Sequence, residues 1–99
     1  MEINIIHGEK NIVELAGRLD TSEAPKAKEA IADIIQEKND VVFDCEELEY
    51  ISSSGLRVLL EAQKSLNAAG GKLKLINVQP PVQSVLDMTG FSIFLDLNA

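Results

Sequence analysis

The spacing of apolar positions changes several times along this chain, and each change marks an element. Ile3-Asn4-Ile5-Ile6-His7 and Ile12-Val13-Glu14-Leu15-Ala16 are short β-rich runs. With Gly8-Glu9-Lys10-Asn11 between them they read as a hairpin with a tight turn. Gly17 to Ser22 reads as a turn into a helix, with Thr21 or Ser22 as its cap. Pro25 then falls in the first turn, where its missing N–H does no harm. Ala24, Ala27, Ile31, Ile34 and Ile35 recur at helical spacing, and Lys26, Lys28, Glu29, Asp33 and Glu37 fill the opposite face.

Val41-Val42-Phe43 is apolar on consecutive residues, the pattern of a central parallel strand covered on both faces. Glu46, Glu47 and Glu49 follow it and read as a solvated acidic loop rather than a metal site. Tyr50-Ile51-Ser52-Ser53-Ser54-Gly55-Leu56 joins that strand to the strongest helical pattern, about residues 54 to 69. Leu56, Leu59, Leu60 and Leu66 form its apolar stripe, widened by Val58 and Ala62. Arg57, Glu61 and Lys64 point away, with Glu61 spaced to pair with Arg57 or Lys64. Gly70-Gly71 stops the helix and Lys72 to Ile76 reads as a strand. Pro80-Pro81 opens a short helix carrying Val82, Val85, Leu86 and Thr89 on one side, and Gly90 ends it. Phe91, Ile93, Phe94 and Leu95 form a short last strand or pack on the sheet edge.

The order is therefore β-β-α-β-α-β-α, with an optional final β. Strand, helix and strand in one sheet demand a parallel crossover. The expected fold is α/β, a mixed four- to five-stranded sheet packed with helices, in one domain over residues 1–99. Sites in open α/β sheets form at the carboxyl ends of the strands. Ser52 to Ser54 belong at such an end. The turn of Asp20, Thr21 and Ser22 joins them if the second and third strands are parallel.

Composition narrows the function. Only 4% of residues are aromatic and none is Trp, so the core is aliphatic and base stacking has no platform. The net charge of −7 leaves no basic stripe for nucleic acid, and an anionic membrane surface would repel the chain. Cys45, the single cysteine, forms no internal disulfide and reads as a small core residue. His7, the single histidine, reads as a surface residue without catalytic or metal partners. No signal peptide opens the sequence and no apolar run nears the length of a membrane span. The expectation is a cytoplasmic protein without a cofactor.

The serines allow two uses. A Ser oxygen at a helix start accepts a hydrogen bond from a free N–H. A phosphate on such a hydroxyl meets the positive end of the helix dipole. A hydrolase elbow needs Gly on both sides of its Ser, whereas Ser53 has Ile51 before it and Gly55 after. A phosphate-binding loop needs a Gly-rich turn with a Lys, whereas the serines are followed by one Gly and by no Lys until Lys64. Beside the plain cap, which most serines at such positions supply, a third chemical reading is a serine that another protein phosphorylates. The missing side chain of Gly55 would let a visitor's backbone approach.

Taken together, Gly17-x-Leu19-Asp20, Val41 to Leu56, Gly70-Gly71-Lys72-Leu73 and the stretch from Pro81 to Gly90 resemble the anti-sigma factor antagonists, a family of bacterial STAS domains. The resemblance covers essentially the whole chain. It implies a protein switch without catalysis of its own. The family's acceptor serine, in an Asp-Ser-Ser-Gly-Leu motif, maps onto Ser53, with Ser52 standing where the Asp would be and with Ser52 and Ser54 as alternates. It further implies a partner-binding set of Asp20, Thr21, Ser52, Ser54, Gly55 and Arg57. The implied partners are an anti-sigma factor that is also a Ser/Thr kinase, and a Ser/Thr phosphatase. The family also includes STAS subunits of lipid-transport ABC complexes and scaffolds of stress-signalling assemblies, which keep the fold without the phosphorylation.

Overall fold

The computed structural model describes residues 1–90 and the strand Asp96–Asn98. The alternation of Ile with polar residues builds β1 (Glu2–Ile6), which turns back antiparallel onto β2 (Lys10–Leu19). α1 (Ala24–Ile35) then crosses to β3 (Asp40–Ile51), which runs parallel to β2. α2 (Ser53–Ala68) leads to β4 (Leu73–Ile76), and α3 (Pro80–Thr89) precedes β5 (Asp96–Asn98). The sheet order is β1-β2-β3-β4-β5, antiparallel at the first pair and parallel at the rest. The expected α/β class, element order and mixed sheet are thus present. The expectation for Phe91 to Leu95 lies outside the described residues.

The expected stripes are the buried ones. Ala24, Ala27, Ile31 and Ile34 of α1 and Leu56, Val58, Leu59, Ala62 and Leu66 of α2 are buried, while Ile35 and Leu60 are half-buried. They meet Val13, Leu15 and Leu19 of β2, Val41 and Phe43 of β3, and Leu73 and Leu75 of β4 in one core. Each fully buried Leu contributes about 1.5–3 kcal/mol by leaving water. Cys45 is buried as well, and burial pushes its thiol up to about 12, so it packs as a hydrophobe.

Four local readings change. Gly17 to Leu19 is strand, not turn, because pairing with β3 continues to Leu19↔Ile51. The acidic stretch is strand too, with Glu46, Glu47 and Glu49 exposed along it. Twelve residues of β3 run beside ten of β2, and register shifts near Glu14/Ala16 and Gly17/Arg18 absorb the excess. Gly17, at φ +95°, supplies the backbone conformation that such a bulge uses. Val42 is half-buried between the buried Val41 and Phe43, so β3 is fully covered on one face only. Finally, Glu61 pairs with Lys28 of α1 at 3.6 Å, a contact between helices that spacing along one helix cannot reveal.

Asn11 is the buried polar side chain at the far end of the sheet. Its Oδ1 accepts from the Gly8 N–H (3.2 Å) and its amide donates to Glu37 (3.1 Å), which also contacts exposed His7 at 3.0 Å. The network ties the β1–β2 turn to the end of α1. Asn11→Ala removes both hydrogen bonds of the buried amide and should cost about 1–3 kcal/mol. The check is a lower urea midpoint at an unchanged slope.

Candidate functional site

The site stands where β2 and β3 end side by side. Leu19 and Ile51 pair, and the next residue, Ser52, donates its N–H to the Leu19 carbonyl at 2.9 Å. Ser52 then caps α2: its backbone is extended, and its hydroxyl accepts from the Gly55 N–H at 3.2 Å. Its carbonyl receives the Leu56 N–H at 2.9 Å, the first bond of the helix.

The three hydroxyls therefore differ. Ser52 is buried and held in the cap, Ser53 is exposed as the first residue of α2, and Ser54 is half-exposed. The expected place of Ser52 in the partner-binding set is corrected: its hydroxyl turns inward because the helix needs an acceptor there. Ser54 lies 3.5 Å from the Thr21 hydroxyl, which brings the β2–α1 turn against the start of α2.

Gly55 is buried, and the reason for the glycine is internal. A Cβ there would lie 2.7 Å from both the Leu19 carbonyl oxygen and its Cγ, and 2.9 Å from Ile51. The helix start is pressed onto the strand ends, so the space expected for a visitor's backbone is filled by the chain's own Leu19. Gly55 is thereby removed from the surface set. Arg57 is exposed one turn further along α2.

Asp20 organises the neighbouring turn. Its carboxylate accepts from the Ser22 hydroxyl (2.8 Å), the Ser22 N–H (3.1 Å) and the Glu23 N–H (3.1 Å). Its carbonyl accepts from Glu23 and Ala24. α1 starts from Glu23 with no side-chain cap, so the cap expected from Thr21 or Ser22 is not made; Asp20 closes the turn before the helix instead, and the exposed Thr21 hydroxyl lies against Ser54. The Ser22 hydroxyl and the Glu23 N–H hold the Asp20 carboxyl below its usual range. A residue that sequence reasoning passed over stands close by: Arg18 lies over the Tyr50 ring at 4.4 Å, a cross-strand pair that only the shifted register brings together. Among the described residues no three His, Cys, Asp or Glu side chains gather to hold a metal, and no helix is long and apolar enough to cross a membrane.

Comparison with known proteins gives a consistent result. The family model for the STAS domain matches residues 2–98. The anti-sigma F factor antagonist of Paenibacillus polymyxa is 35% identical over 81 residues, covering 80% of this chain and 69% of that protein. Among solved structures, an anti-sigma-factor antagonist (STAS) domain protein of Planctomyces limnophilus superposes with a TM-score of 0.86 at 20% identity, covering 96% of this chain and 87% of the other. The Bacillus cell fate determinant SpoIIAA in its phosphorylated form superposes at 0.72 with 21% identity, covering 99% and 90%.

Three substitutions separate structure from display. Ser52→Ala should cost about 1 kcal/mol through the lost cap, and Gly55→Ala about 1–3 kcal/mol through overpacking against Leu19. Ser53→Ala should stay within about 0.5 kcal/mol, all three read by chemical denaturation. The lowered Asp20 carboxyl gives stability that is complete above the unfolded value near 3.8 and fades as pH falls through the lower folded value. Asp20→Asn should therefore lose part of the acid dependence of stability below about pH 4, read as Tm against pH.

Proposed function

The chain belongs to the STAS domain family, and from that premise we propose that it is an anti-sigma factor antagonist switched by phosphorylation of Ser53. Residues 1–99 act as one STAS domain in the bacterial cytoplasm, without catalysis or cofactor. Its partner is an anti-sigma factor that is also a Ser/Thr kinase. In the unmodified state Ser53, Ser54, Thr21 and Arg57 face that partner, which then releases its sigma factor. Asp20 and Ser52 act from behind, the one shaping the turn and the other fixing the helix start.

The observation that supports this reading is the exposed Ser53 hydroxyl at the first position of α2, beside a turn that carries Thr21. The kinase brings ATP. Ser53 Oγ displaces ADP from the γ-phosphorus, and the hydroxyl proton passes to a base of the kinase. The phosphate adds about 1.5 to 2 negative charges, which the helix start tolerates through its unpaired N–H groups and dipole. The cost falls on the complex, where a dianion meets a surface built for a neutral hydroxyl. A Ser/Thr phosphatase restores the unmodified form.

Having Ser52 where the family motif carries Asp does not favour the alternative of an unphosphorylated transport subunit or scaffold. Ser and Asp are about equally good N-caps, and Ser52 performs that task here.

Incubation with the anti-sigma factor kinase and ATP should add one phosphate, placed on Ser53 by fragment mass spectrometry and abolished in Ser53→Ala. A protein that gains none overturns the reading. Ser53→Asp should weaken the complex with that kinase about tenfold or more, a loss of about 1.4 kcal/mol, with Tm nearly unchanged.

A further inference from the structure

We propose that Arg57 is the internal counter-ion of a phosphate on Ser53, so that modification draws its guanidinium away from the groove between α1 and α2. This deepens the reading above and rests on Ser53 as the modified residue. Positions 53 and 57 stand one turn apart on α2, and both are exposed. Residues four apart on a helix are surface neighbours, about 5–6 Å between Cβ atoms. Helical side chains also lean toward the N-terminus, so the long Arg57 side chain reaches back over the turn that Ser53 opens.

The next position on this stripe is Glu61, which would otherwise compete for the guanidinium. It pairs with Lys28 across the helices at 3.6 Å. In the unmodified protein Arg57 lines an open groove of about 450 Å³ together with Thr21, Pro25, Lys28 and Val58. Glu61 lines the groove too and offsets Lys28, so Arg57 is the groove cation that suits a partner segment carrying a carboxylate next to an apolar residue. A phosphate on Ser53 presents a nearer dianion, and the planar fork of Arg matches its oxygens in pairs. The charge therefore acts twice: it adds a negative group to the contact surface and withdraws a positive one.

The test uses the full chain with phosphoserine installed at position 53 during translation, so it does not depend on any kinase. Titration by ³¹P NMR should give a second phosphate pKa about 0.3 unit or more lower in the wild type than in Arg57→Gln. Arg57→Lys should fall between, because it keeps the charge and loses the fork. The difference should fade in about 1 M salt, and the Arg57 Nε–H resonance should move on modification. Identical titrations in wild type and Arg57→Gln, with an unmoved Nε–H, overturn the proposal. That outcome would leave kinase-dependent phosphorylation standing, whereas a kinase that ignores Ser53 would overturn the switch without altering these titrations.

Discussion

The close approach of α2 to the end of β2 is the constraint on which the site depends. The Leu19 carbonyl accepts the Ser52 N–H, and the missing Cβ of Gly55 lets the helix settle against the same residue. With those two contacts made, the helix start has little freedom. The cap hydroxyl must point inward to Gly55 N–H, and the next residue must then face out. Display of Ser53 is a consequence of how β2, β3 and α2 meet, and no binding energy from a partner is needed to arrange it.

The parallel pairing of β2 with β3 extends that constraint to the turn before α1. Because both strands end together, the segments that follow them leave side by side. Asp20 folds the first segment into a tight turn with its own carboxylate, and Ser52 starts the second. Thr21 and Ser54 meet as a result, although 33 positions separate them in sequence. The two extra residues of β3 matter here: without the shifts near Ala16 and Arg18 the ends would be out of step, and Leu19 would not face Ile51.

Much of this is legible in the chain, and the gaps have physical causes. Apolar periodicity marks both long helices, since their buried stripes are the residues the spacing selects. The parallel relation of the second and third strands follows from the crossover. Strand ends are less legible: Gly17 looks like a turn signal, yet a glycine with positive φ also serves a bulge inside a strand. Glu46 to Glu49 look like a loop, yet a strand exposed along part of its length tolerates them. The difference among three adjacent serines is invisible in composition and depends on which one the helix uses as its cap. The role of Gly55 is legible only as an oddity, a glycine in a helix, until the strand that presses on it is known.

The division of labour among those serines also bears on the proposed switch: phosphorylation of Ser53 need not disturb the fold. Ser52 carries the structural duty, as an acidic cap would, and its oxygen is committed to Gly55 N–H. Ser53 carries none, so a charge added there would meet solvent, the free N–H groups of the helix start and, as proposed, the guanidinium one turn on. Had the exposed residue also been the cap, modification would have broken the bond that begins α2 and loosened the contact with Leu19. Separating cap from display by a single residue keeps the helix start rigid in both charge states. On the proposed reading, the partner would discriminate by charge at a fixed place, rather than by whether the surface is folded.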